Sequence, residues 1–349
     1  MSSPCPPTGG CGTVYKLVPP SSPGGTWTEK VLHRFANRKQ DGYYPYAGLV
    51  IGPNGALYGT TVYGGNPGGG TAFEVLPPAA GREVWTETVI HTFSGENGDG
   101  NTPQCVLAVG ANGVIYGTTT GGGTSHLGTV FELTPPASPG GAWTETILYS
   151  FTGAPGDGGS PVAGVVIGSG GVLYGTTQHG GASNNGSVFQ LSPPAPGGVL
   201  WTETVLYSFT GMNGDGTSPI GGLVIGANGA LYGTDEAGGT PGHGTVFELA
   251  PPTSSGGLWT ETTLYSFTGL GDENAPYSSL VFGKNGVLYG TTLGGNAFAL
   301  RPPAPGGASW KETVSVSLGG GSFGGLAIKS NGVLYGTTPT PGIVFRLVP

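Results

Sequence analysis

The chain has 349 residues, of which only 9 % are charged, and a formal net charge of −8. Such an acidic, lysine-poor surface repels phosphate backbones and argues against nucleic acid as a partner. No apolar run approaches the roughly 20 residues of a membrane helix.

The start, MSSPCPPTGGC, reads as an irregular segment over residues 1–11 and lacks the charged and apolar regions of a signal peptide. From there glycine (73 residues) and proline (31) recur at fixed places, so their abundance marks periodic turns rather than disorder. LYGT-type segments centre on Tyr58, Tyr116, Tyr174, Tyr232, Tyr289 and Tyr335, spaced 58, 58, 58, 57 and 46 residues apart. Trp27, Trp85, Trp143, Trp201 and Trp259 keep the 58-residue beat, and Trp310 follows after 51. A period of this size signals a repeat architecture.

Each repeat carries four strand signals. In the fourth copy, AGVVIG (Ala163 to Gly168) is strand A, a continuous apolar run. Ser169-Gly170-Gly171 turns the chain, and other copies place Asn-Gly there, as tight hairpins favour. VLYGTT is strand B, GSVFQL strand C, and after a Pro/Gly linker WTETVLYSF is strand D. Helical periodicity is missing throughout. Four antiparallel strands in just under 60 residues predict an all-β fold, a six-bladed β-propeller forming a single domain over residues 1–349.

Strands A, B and D occur six times and C seven times, because the chain begins with GTVYKL (Gly12 to Leu17) and ends with GIVFRL (Gly342 to Leu347). The terminal strands are therefore expected to close the ring by sharing one blade, with one C copy surplus. Cys5 and Cys11 are close enough to bridge, leaving Cys105, whose counterparts Ala163 and Gly221 suggest a small buried residue.

The recurring LYGTT…GG…GTVF…L.PP…WTE resembles the GloVer tandem-repeat family of secreted bacterial proteins over nearly the whole chain. Only the last copy departs clearly, with VSVSLGGGSFGG (Val314 to Gly325) in place of YSFTG…GDG…P. The resemblance implies a secreted or cell-surface protein. It carries over no catalytic residues.

In such a blade the B–C and D–A loops share one face, where a ligand is expected. What all copies share is architecture, including the LYGT tyrosines and the tryptophans; departures need a reason. The strongest is KVLHRFANRKQDGYYPY (Lys30 to Tyr46), where Arg38, Lys39, Tyr43 and Tyr44, with Tyr63 in the first B–C loop, are candidate ligand-binding residues. Arginine clamps a carboxylate and tyrosine stacks on a ring, a pattern suited to an acidic sugar. His126, His179 and His243 lie in successive B–C loops at different offsets, as further ligand-binding candidates.

Asp41, Asp99, Asp157, Asp215 and Asp272 recur in the D–A loops. Asp-Gly is first a turn device. A calcium site is the sharper reading, though one carboxylate per loop is thin for it, and no cofactor is expected. His33 and His91 replace the strand-D tyrosines Tyr149, Tyr207 and Tyr265, and Asp235-Glu236 replaces uncharged residues.

Three functions follow. A secreted propeller binding a polysaccharide, cell-surface glycan or protein through the loop face ranks first, and a passive surface module second. A carbohydrate-active enzyme ranks third: a polysaccharide lyase with His33 or His91 as base and Arg34 or Arg38 neutralising a uronate, or a glycosidase drawing its carboxyl pair from Asp235, Glu236, Asp272 and Glu273.

Overall fold

Each complete repeat forms an antiparallel sheet in the strand order A-B-C-D. The computed structural model describes residues 10–349 except 23, 37–40, 139, 154, 255, 271–273, 305–306, 308, 320–323 and 339–341. Among the described residues there is no α-helix. The chain divides into two compact units, Met1–Ser150 and Phe151–Pro349.

The first unit holds a C–D pair, Thr13–Val18 with Thr28–Arg34, and two complete blades. Their strands are Val50–Ile51, Leu57–Thr61, Thr71–Leu76 and Thr86–Thr92, then Ala108–Val109, Ile115–Thr119, Thr129–Thr134 and Thr144–Ser150. The second unit holds three complete blades and an A–B–C sheet, Ala327–Ile328, Leu334–Thr338 and Ile343–Leu347. The fold class is the all-β, six-bladed β-propeller expected. Among the described residues, Thr13–Val18 pairs with a D strand and Ile343–Leu347 with a B strand.

The A strands pair over only two residues, shorter than their apolar runs suggest. The chain leaves the ladder early to make a tight turn in which Asn54, Asn112 and Asn285 adopt φ of 58°, 58° and 56°. Asparagine tolerates this left-handed conformation better than other non-glycine residues. Asn54→Ala is expected to lower stability by about 1 kcal/mol, seen as a thermal midpoint a few degrees lower.

Between C and D every complete blade carries a register shift, for instance between Ala72 and Phe73 opposite His91 and Val89. One extra D residue, here Ile90, re-aims the side chain beyond it. The core is a series of aromatic contacts from blade to blade. Phe35 of one D strand meets Phe73 of the next C strand at 5.0 Å, and Phe93 meets Phe131 at 5.0 Å. In the second unit Phe209 meets Phe247, and Phe267 meets Phe298, each at 5.1 Å. Tyr58 packs edge-on to Trp143 and donates its hydroxyl to Glu74 at 2.7 Å.

One blade is abbreviated. Only residues 292–295 separate its B strand, Leu288–Thr291, from its C strand, Asn296–Arg301, against residues 62–70 in the first complete blade. Cys11 is disulfide-bonded, and Cys105 is free and buried, its sulfur accepting the Thr118 N–H at 3.2 Å. Burial pushes the Cys105 thiol pKa up, so it is a packing residue rather than a nucleophile.

Candidate functional site

Within a blade the D–A segment and the B–C loop hydrogen-bond to each other. Gly42–Tyr43 pairs with Tyr63–Gly64, and Gly100–Asn101 with Gly121–Gly122. In the second unit Gly158–Gly159 pairs with His179–Gly180, and Gly216–Pro219 with the far end of the long B strand Leu231–Gly238. These ties fix loop residues on a rigid scaffold.

The first such pair presents an aromatic group. Tyr43 lies opposite Tyr63 in register, with ring centroids 5.7 Å apart. Tyr44 stands 5.7 Å from Tyr43 and 6.3 Å from Tyr63. Tyr44 and Tyr63 are 40 % and 43 % exposed, and Tyr46 is 50 % exposed. Tyr44 has φ of 59°; its counterparts Thr102, Ser160, Ser218 and Ala275 have φ of 60°, 55°, 56° and 55°. Among the described residues, five D–A segments therefore place a left-handed residue here, and four of the five use a small one. A bulky aromatic in that region is a genuine outlier. Burial, and then the neighbouring phenols Tyr63 and Tyr44, push the Tyr43 pKa up.

The loop aspartates cap their own turns. Asp41 Oδ2 accepts the Ala36 N–H at 2.7 Å, and Asp99 Oδ2 accepts the N–H and hydroxyl of Ser94 at 2.6 and 2.7 Å. Asp157 and Asp215 do the same for Thr152 and Thr210. The second oxygen of Asp41 and of Asp99 faces a histidine. His33 Nε2 lies 3.9 Å from Asp41 Oδ1, and His91 Nε2 lies 3.7 Å from Asp99 Oδ1 and 3.5 Å from Glu145 Oε1. Glu87 completes the first triad; in each, one donor atom per residue lies within 4.8 Å of the others.

Position on the D strands of successive blades explains the grouping. The histidine sits just past the D-strand bulge, the aspartate in the loop that follows, and the glutamate on the next blade's D strand. Each imidazole also packs edge-on to a core phenylalanine, His33 to Phe35 and His91 to Phe93. Burial pushes Glu145 up to about 7, helped by the Asp99 charge and opposed by His91. Burial also raises Asp99, but His91 and the Ser94 hydrogen bonds outweigh it and leave its pKa low. An open cleft of about 550 Å³, lined by Asn66, Glu87, Thr88, Val89 and Thr92, lies against the first triad.

The other candidates are dispersed. Arg34 is exposed at the end of its D strand, and Arg38, Lys39, Asp272 and Glu273 lie outside the described residues. His126 and His179 are exposed, His243 is half-buried, and the convergent donor groups among the described residues include none of the three. Asp235 is fully buried and takes a hydroxyl position: Thr245 donates to its Oδ2 at 2.6 Å, where other blades pair Thr61 with Thr71 or Thr119 with Thr129 at 2.8 Å. Burial holds the Asp235 carboxyl well above the usual carboxylate range. Glu236 beside it is half-buried. Glu87 and Glu145 escape a sequence reading because they belong to the WTE motif that most repeats share.

No curated protein sequence matches the chain. Among solved structures it is similar to the PQQ-bound aldose sugar dehydrogenase of Streptomyces coelicolor, with 14 % identity over 89 % of this chain and 96 % of that one, and a TM-score of 0.50. A luciferin-regenerating enzyme matches at 12 % identity over 88 % and 92 % of the two chains, with a TM-score of 0.53. PorZ, a surface component of the type-IX secretion system of Porphyromonas gingivalis, matches at 15 % identity over 92 % of this chain and 42 % of that one, with a TM-score of 0.53. Likeness at such identities is one of fold. A family model described as the Gloeobacter/Verrucomicrobia repeat matches residues 7–199 and 78–301. Since those matches span most of the chain, it belongs to the Gloeobacter/Verrucomicrobia repeat family.

Proposed function

We propose that the chain is a secreted propeller that binds glycans through the loop face of its first unit, with Tyr43, Tyr44 and Tyr63 as the stacking platform. The observation that carries this reading is Tyr44. An exposed aromatic side chain sits at a left-handed position that the sister repeats fill with threonine, serine or alanine. Strained, exposed residues cluster at binding sites, where function repays the strain. Aromatic rings offer large apolar area at low entropic cost, and their faces suit the C–H surfaces of sugar rings.

Two further points agree with it. The fold is shared with a protein described as an aldose sugar dehydrogenase, and a disulfide at Cys11 suits an oxidising, extracellular compartment. Binding is favoured over acid–base chemistry because the Nε2 atoms of His33 and His91 are sealed from solvent.

The test is a glycan array followed by calorimetry, using sister-repeat residues as substitutions. Tyr44→Ser and Tyr63→Gly copy residues that fold in equivalent loops. Each is expected to weaken binding about tenfold, or 1.4 kcal/mol, while leaving the thermal midpoint unchanged or higher. No glycan ligand on the array, or wild-type affinity in the double variant, would overturn the reading.

A further inference from the structure

We propose that the triads His33–Asp41–Glu87 and His91–Asp99–Glu145 are two equivalent sites for a divalent transition metal ion of the zinc class. Distance is the first argument. The separations of 3.5, 3.7 and 3.9 Å are too long for hydrogen bonds, which run to about 3.2 Å. Ligands held about 2.0–2.2 Å from one tetrahedral ion lie roughly 3.3–3.5 Å apart. The donor atoms of each triad all lie within 4.8 Å of one another, the arrangement of atoms around a shared centre, and the pairs at 3.5–3.9 Å need closure by only a few tenths of an ångström.

Burial is the second argument. His33 Nε2, Asp41 Oδ1, His91 Nε2, Asp99 Oδ1 and Glu145 Oε1 are all sealed from solvent without a hydrogen-bond partner. Buried polar atoms are usually paired; Glu203 Oε1 and Asp215 Oδ1 stand open at the matching places of the second unit as well, and what the two triads add is a histidine nitrogen facing the open oxygens. The remaining carboxylate oxygen of each aspartate is held by its own loop, which fixes the orientation of the ligand atom as an outer hydrogen bond does in metal sites.

The third argument comes from the sister repeats. Both triads repeat the same three residue types 58 residues apart. In the second unit the same aspartate and glutamate positions, Asp215 and Glu261, accompany Tyr207, whose hydroxyl donates to Asp215 at 3.2 Å. There a phenol meets the carboxylate directly. An imidazole in the same place supplies a nitrogen ligand instead. One nitrogen and two carboxylates suit zinc, manganese or cobalt. They do not suit calcium, which takes six to eight oxygens. Three protein ligands leave a coordination position for water or a ligand oxygen, and in the first triad Glu87 also lines the open cleft.

The experiment uses untagged full-length protein, stripped with chelator, dialysed against Zn²⁺ at neutral pH and analysed for bound metal, with Co²⁺ absorption as a second readout. Two ions per chain are expected. His33→Tyr and His91→Tyr, which copy the residue of the sister repeats and should preserve folding, are each expected to remove one ion, and the double variant both. Circular dichroism establishes that the variants are folded. Failure of the wild type to take up stoichiometric Zn²⁺ or Co²⁺ would overturn the proposal. So would unchanged uptake in a folded double variant. Loss of an ion in only one of the two single variants would assign the site to that triad and overturn the other.

Discussion

Phe73→Ala is expected to destabilise the first unit by about 3–5 kcal/mol, the cost of an empty space where a large aromatic ring was fully buried. Phe73 has no exposed surface and meets Phe35 edge-on at 5.0 Å, so its loss opens the contact between adjacent sheets. At roughly 2–4 °C per kcal/mol, the thermal midpoint should fall by about 10 °C. The same ring explains the glycine of the LYGT motif. A Cβ on Gly59 would lie 2.6 Å from Phe73 Cζ and 2.7 Å from Leu49 Cδ2. Gly59→Ala should therefore also destabilise, by overpacking, at about 1–3 kcal/mol. Because both changes act on one contact, the double variant should cost less than the sum of the singles. Additive costs in chemical denaturation would show that the ring and the glycine do not constrain each other.

The second large effect is on pH. Burial, and then the charge of a loop aspartate, raise Glu203 and Glu261 from 4.5 to about 7, through Asp157 and Asp215 respectively. Asp235 is raised well above its usual value of 3.8 by full burial. In each case the native state holds a proton that the unfolded chain releases at lower pH. Their stabilisation is complete below about pH 4.5 and declines between pH 4.5 and 7 for the glutamates; above the folded pKa it falls no further. Screening of these half-buried glutamates leaves on the order of 1 kcal/mol each. The second unit should therefore unfold at higher urea concentration at pH 5 than at pH 8. Asp235→Thr, which restores the hydroxyl pair of the sister repeats, should raise stability at pH 8 and flatten the profile. A higher midpoint at pH 8 than at pH 5 would show that these carboxyls are ionised and paired in the native state.

Strand order and blade content were legible in the sequence because they rest on local, repeated signals. An Asn-Gly pair fixes a turn through its own backbone preference, and an alternating run fixes a strand through its own pattern. The triads are not local. His33 and Glu87 are separated by nearly a whole repeat, and they meet because they stand on the D strands of successive blades and a bulge re-aims the histidine. Treating shared residues as architecture correctly set aside the tyrosines that pack on tryptophans, but it also hid Glu87 and Glu145. Those two share a motif with their sister repeats and differ in what stands opposite. The constraint on Tyr44 was invisible for another reason. A left-handed backbone is usually announced by glycine or asparagine, and Thr102, Ser160 and Ala275 gave no such notice.

The abbreviated blade has a wider implication. Its sheet retains all four strands even though its B–C crossing is reduced to four residues, 292–295. Loop length and blade integrity are thus uncoupled, and the sheets can tolerate insertion or deletion at that edge. Selection could then vary specificity one blade at a time, and the same blade offers a vacant mount for grafting a new recognition segment.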